Sequence, residues 1–112
     1  MKVIDTSSPF GSSARTRVLL ALQLLTESYA RELARLLEIS LSSVQKALHS
    51  LERDGLVGDR AAGRTRLYRV NPRHHARREL ERYLERLLEP ESTLRSRASE
   101  LRRRPRRAGK LL

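Results

Sequence analysis

The chain has 112 residues, and its 24 Lys and Arg against 13 Asp and Glu give a formal net charge of +11 and an isoelectric point near 11.4. That length fits one domain and is too short for most barrel or doubly wound enzyme folds. There is no cysteine, which excludes disulfide scaffolds, thiolate metal sites and cysteine nucleophiles.

Residues 5–13 are small and polar and read as a leader without regular structure, so residues 1–11 are expected to lie outside the domain. Ser12 or Ser13 can cap a first helix that runs to about Leu25. Val18, Leu19, Leu22 and Leu25 share one face of it, while Leu20, Ala21 and Leu24 make the other side apolar too. A helix apolar nearly all round is buried on two sides, and in a chain this small the second side is expected to be a subunit seam. A short helix follows at about residues 30–38, with Leu33, Ala34, Leu36 and Leu37 as its stripe and no good N-cap at Tyr29. After Glu38-Ile39-Ser40, Ser40 is a good cap for a third helix at about residues 41–54. Val44, Leu48 and Leu51 face inward there, and Gly55 stands where a left-handed residue ends the helix.

The period then changes from helical to alternating. Residues 56–61 and 65–70 are short strands around Ala62-Gly63-Arg64, a hairpin with a basic tip. Asn71 is expected to cap a last helix with Pro72 in its first turn, ending at Glu89 before Pro90. Its stripe is Ala76, Leu80, Tyr83, Leu84, Leu87 and Leu88. These leucines exceed what one thin domain covers, so the dimer seam is assigned to Leu20, Leu24, Leu80, Tyr83, Leu84, Leu87 and Leu88. Residues 91–112 hold eight basic residues against Glu91 and Glu100, which is +6 of the +11. Residues 90–112 are therefore read as a basic tail. Leu94, Ala98 and Leu101 support a short helix in it, and disorder is expected beyond Pro105.

The order helix, helix, helix, hairpin, helix is that of a winged helix-turn-helix: a mainly α fold with a small β-hairpin, spanning residues 12–89, closed by a C-terminal dimerisation helix. A helix is narrow enough to enter the major groove of duplex DNA, and its N-terminal side chains meet base edges. With Val44, Leu48 and Leu51 inside, the third helix turns Ser42, Ser43, Gln45, Lys46 and His49 outward. Gln45 can make a bidentate contact with adenine, and Lys46 can donate to guanine or phosphate. Ser42 and Ser43 suit phosphate or base contacts, and His49 is better explained as a solvated surface residue, with a base or phosphate contact as its other reading. Arg60, Arg64 and Arg66 flank the hairpin tip, where they are expected to straddle backbone phosphates or enter a narrow minor groove. Arg102, Arg103, Arg104, Arg106, Arg107 and Lys110 in the tail are expected to add nonspecific phosphate contacts.

These residues resemble the ArsR-type winged-helix transcriptional regulators. The resemblance is carried by Arg17-Val-Leu-Leu-Ala-Leu22, Arg31-Glu-Leu-Ala-Arg-Leu36, Ile39-Ser-Leu-Ser-Ser-Val-Gln-Lys-Ala-Leu48, Leu51-Glu-Arg-Asp-Gly-Leu-Val57 and Gly63-Arg-Thr-Arg-Leu-Tyr68. It covers about residues 12–89, and MarR-type regulators share much of the pattern. It implies a homodimer joined through the first and last helices, with two recognition helices reading a pseudo-palindrome. Two departures stand out. The family often has Gly where this chain has Glu38, and a left-handed Glu there costs about 1 kcal/mol. Metal-sensing members use Cys, or Asp/His/Glu sets on the last helix; His74 and His75 are adjacent rather than at ligand spacing.

The function expected from the sequence is thus a sequence-specific, double-stranded-DNA-binding transcriptional regulator acting as a homodimer. The competing readings are an architectural chromatin protein with little sequence preference, and a winged-helix adaptor for protein or RNA. No Gly-rich phosphate loop, His-Glu-x-x-His or nucleophile motif is present, so no enzyme is expected. One Phe, three Tyr and no Trp are few aromatics for binding single strands by stacking. No cofactor, metal or membrane partner is expected. Met1-Lys2-Val3-Ile4-Asp5 lacks the apolar run of a signal peptide, so a cytoplasmic, nucleoid-associated location is expected.

Overall fold

Ser12 opens the first helix, its hydroxyl accepting the Arg15 amide at 3.1 Å. In this computed structural model, residues 8–103 are described. The chain order is α1 (Ser13–Leu25), α2 (Ala30–Leu37), α3 (Leu41–Arg53), β1 (Val57–Ala62), β2 (Thr65–Val70), α4 (Arg77–Leu88) and α5 (Ser92–Arg103). No helix among the described residues is long and apolar enough to cross a membrane.

The all-round apolar character of α1 has its reason inside the chain. This helix is the central post, and α2, α3, α4, α5 and β2 all pack on it. Val18, Leu19, Leu20, Ala21, Leu22 and Leu25 are buried as a result. At its end Thr26 takes φ 71°, ψ −57°, and the Glu27 amide closes back on the Leu25 carbonyl at 2.8 Å. This is a γ-turn with positive φ, a strained backbone for a β-branched residue.

The turn between α2 and α3 is the three-residue Glu38-Ile39-Ser40. Glu38 is left-handed at φ 58°, ψ 43°, and Ser40 caps α3 by accepting the Ser43 amide at 3.1 Å. At the other end of α3, the Gly55 amide donates to Glu52 and the Leu56 amide to the Leu51 carbonyl, at 3.0 and 2.9 Å. That is the Schellman closure, and it requires the positive φ of Gly55 (80°).

The hairpin pairs Val57 with Val70 through Ala62 with Thr65, so its loop is the two residues Gly63-Arg64. Gly63 has φ 64°, at the loop position where a type II′ turn takes glycine. Ser28 adds a bridge to Tyr68 beyond the hairpin, with both backbone bonds made, at 3.0 and 2.8 Å.

Asn71 does not cap α4, which starts at Arg77 rather than at Pro72. The Asn71 amide side chain is committed elsewhere, donating to the Gly55 carbonyl and accepting the Arg73 amide, both at 2.9 Å. It ties the end of the wing to the end of α3, and turns fill residues 72–76. His74 Nδ1 takes over near the helix start, accepting the Ala76 amide at 3.0 Å. Beyond Pro90, Leu94 and Ala98 of α5 are buried, and the helix packs against α1 and α2.

Candidate nucleic-acid interface

The inner face of α3 buries Val44, Ala47, Leu48 and Leu51. By helical geometry the opposite face is left to solvent, and there Ser42, Gln45, Lys46 and His49 are all exposed. Together with Ser50 and Arg53 they line a shallow groove of about 510 Å³. None of the Gln45, Lys46 and Arg53 side chains makes a hydrogen bond or ion pair with another described residue. Ser43 is different: half-buried, it receives a hydrogen bond from the Ser40 hydroxyl at 2.9 Å and belongs to the cap. Ser42 Oγ lies 3.3 Å from Ser40 Oγ and is still exposed. Arg53, absent from the residues expected on this face, lies one turn beyond His49 on the same row.

The helix is held by its back. Arg15 of α1 donates to the Phe10 carbonyl at 2.7 Å and to the Ser50 hydroxyl, and pairs with Asp54 at 2.8 Å. These bonds fix the C-terminal half of α3 against the start of α1, so the exposed row has one orientation.

The three wing arginines are not equivalent. Arg60 makes a two-pronged pair with Glu27, at 2.8 and 2.9 Å. Arg66 pairs with Asp59 at 2.8 Å across the strands, two positions diagonally on one face. Arg64, at the tip, is exposed and makes no ion pair with a described residue. It is the wing cation with the least to give up before meeting a phosphate.

Between α3 and the wing lies a carboxylate pair. Burial, the Asp59 charge and a hydrogen bond to Asp59 push the Glu52 carboxyl above the ordinary carboxylate range, against opposing effects of His49 and Arg66. Burial, helped by Glu52 and Asp59, also raises the Tyr68 phenol. Tyr68 is half-buried against the core.

Arg102, expected in a basic tail, is a half-buried residue of α5 whose guanidinium holds the Glu32 carboxylate at 3.2 Å and the Glu27 carbonyl at 2.6 Å. Periodicity could not reveal this, because Arg102 and Glu32 are 70 residues apart. Arg103 is exposed and pairs with Glu100 at 2.7 Å. Arg104, Arg106, Arg107 and Lys110 lie outside the described residues.

Of the residues assigned to a subunit seam, Leu20, Leu80, Leu84 and Leu88 are buried within this one chain. Leu24 and Leu87 are half-buried, and Tyr83 is 46% exposed, its ring 5.8 Å from that of Phe10. His74 and His75 stack at 4.8 Å, and no group of three or more metal-ligating residues exists among the described residues.

A helix-turn-helix whose second helix shows an uncommitted polar row, beside a two-stranded wing tipped by arginine, defines a winged-helix DNA-binding domain. The chain belongs to the TrmB family: the family model described as "Sugar-specific transcriptional regulator TrmB" matches residues 12–73, more than half of the chain. Among solved structures, reduced HlyU from Vibrio cholerae is 29% identical with a TM-score of 0.58, over 73% of this chain and 78% of its own. A mutant of ZitR from Lactococcus lactis is 24% identical with a TM-score of 0.59, over 90% of this chain and 65% of its own, and shares the fold. No curated protein sequence matches the chain. The chain is thus a sequence-specific DNA-binding transcriptional regulator and not an enzyme. The family model names TrmB and does not single out the ArsR type.

Proposed function

We propose that α3 is the recognition helix, lying in the major groove of duplex DNA, and that the wing rests on the adjacent backbone or minor groove through Arg64. The observation that carries this reading is the row Ser42, Gln45, Lys46, His49 and Arg53, exposed on a helix whose other face is locked into the core. Gln45 matches the two hydrogen-bonding groups of adenine, and Lys46 and Arg53 suit guanine or phosphate. Arg60 stays on Glu27 and orients the wing, Arg66 reaches phosphate by exchanging Asp59 for it, and Arg104, Arg106, Arg107 and Lys110 add affinity without sequence choice.

The regulator acts as an ArsR-like homodimer in the cytoplasm, at the nucleoid. What supports the dimer is Tyr83 and Leu87, one turn apart on α4, with Phe10 against Tyr83. An exposed aromatic beside a half-buried leucine suits a two-fold seam formed with the same helix of a second copy. Selection of bound duplexes from a random pool tests both parts. The expected result is one defined motif repeated as half-sites about one helical turn apart. A pool that stays random overturns the assignment of Gln45 and favours an architectural role; a single unrepeated half-site overturns the dimer.

A further inference from the structure

Three features converge on the four residues between α1 and α2. Thr26 sits in a strained γ-turn, which persists only where the surroundings hold it. The Glu27 carboxylate grips Arg60 of β1 with both oxygens. The Ser28 backbone bonds Tyr68 of β2 in both directions, and Ser28 itself is fully buried. This segment is therefore an anchor for both strands of the wing.

The segment has an anchor of its own, on the far side of the molecule in sequence. Ser28 Oγ donates to the Glu32 carboxylate at 2.7 Å, and that carboxylate is 7% exposed. Its second partner is Arg102 of α5, through both terminal nitrogens at 3.2 Å. The same guanidinium donates to the Glu27 carbonyl at 2.6 Å. One side chain thus neutralises a buried charge and pins the backbone beside the strained residue. A buried carboxylate left with a single hydroxyl partner draws in water and repacks.

We propose that Arg102 is a positioning residue for the wing: from α5 it fixes the Glu27–Ser28 segment, and through the Glu27–Arg60 pair and the Ser28–Tyr68 bridge it sets where the Arg64 tip stands. α5 then tunes DNA affinity without touching DNA. The inference rests on the reading of Arg64 as a phosphate contact, and two readouts separate the two.

The first is a double-mutant cycle on the full chain, binding a duplex about three helical turns long of random sequence. Arg102→Gln is expected to weaken binding about fivefold in the native background and less than about twofold when Arg64→Ala is also present. Equal losses in both backgrounds overturn the proposal, because a direct phosphate contact or general loss of fold acts independently of the wing tip. The second is amide exchange without DNA. The Ser28 and Tyr68 amides are expected to exchange faster in Arg102→Gln, while Leu48 in α3 keeps its protection. Unchanged exchange at Ser28 and Tyr68 overturns the proposal. If Arg64→Ala alone leaves binding unchanged, the wing contact fails, and amide exchange alone decides the inference. Should Arg102→Gln not fold, Arg102→Lys takes its place in both experiments. It keeps a charge beside Glu32 but cannot span Glu32 and the Glu27 carbonyl together.

Discussion

Glu38 holds a left-handed backbone in the turn that sets the angle between α2 and α3, and it lacks the freedom glycine would have there. Its exposed pair with Arg97, 3.2 Å long, offsets little of that strain. Glu38→Gly is expected to raise stability by about 0.5–1 kcal/mol in urea unfolding, the entropy of the unfolded glycine taking back part of the gain. No change would mean that the Arg97 pair matches the strain. On the DNA side, Gln45 and Arg64 differ in kind. Gln45→Ala is expected to remove about 1–3 kcal/mol of discrimination at one base position, read by competition between the selected site and its single-base variants. Arg64→Ala is expected to weaken every duplex alike and to flatten the salt dependence by about one phosphate. If both substitutions weaken specific and scrambled sites equally, Gln45 is not a reader.

Elements were legible where their signals are local. Ser12, Ser40, Gly55 and Gly63 each act on residues within one turn, and α1, α3 and the hairpin lie where these signals put them. Asn71 differs for the same reason: as a local signal it is a cap, yet its side chain is claimed by Gly55, 16 residues away. The junction of α3 with the wing carries a pH signature. Glu52 is raised in the folded state, first by burial and then by Asp59, so its favourable contribution is full below the ordinary carboxylate range. That contribution is lost as pH rises through the raised value, where both carboxylates are charged. Glu52→Gln is therefore expected to raise the Tm slightly near pH 7, with the gain vanishing by about pH 4. A gain independent of pH would place its cause elsewhere. α5 is an element of the core. Leu94 is 4% exposed, and Leu94→Ala is expected to lower stability by about 2–3 kcal/mol in urea. A loss below about 0.5 kcal/mol would mark α5 as an appendage.

At the scale of the whole molecule, charge and specificity separate. Six of the eleven net positive charges fall in residues 91–112, but Arg97, Arg102 and Arg103 are already paired with Glu38, Glu32 and Glu100. The cations left on the α3 row and at the wing tip are few: Lys46, Arg53 and Arg64. If each protomer of a dimer neutralises three or four phosphates, log affinity falls against log salt with a slope of roughly −5 to −7. Removing residues 104–112 is expected to make that slope shallower and leave the selected site unchanged. A truncated chain that loses its site preference would move specificity into those residues.

The sequence by itself determined the succession of helices, the three-residue turn, the basic hairpin and the outward row on α3. These follow from periodicity and capping, which act over a few residues. The tertiary structure alone decided what covers α1, which wing arginine stands uncommitted, and that Arg102 pairs with Glu32. An apolar helix face looks the same in sequence whether α4 and α5 or a second chain covers it, and a guanidinium finds its carboxylate only after the chain has closed on itself.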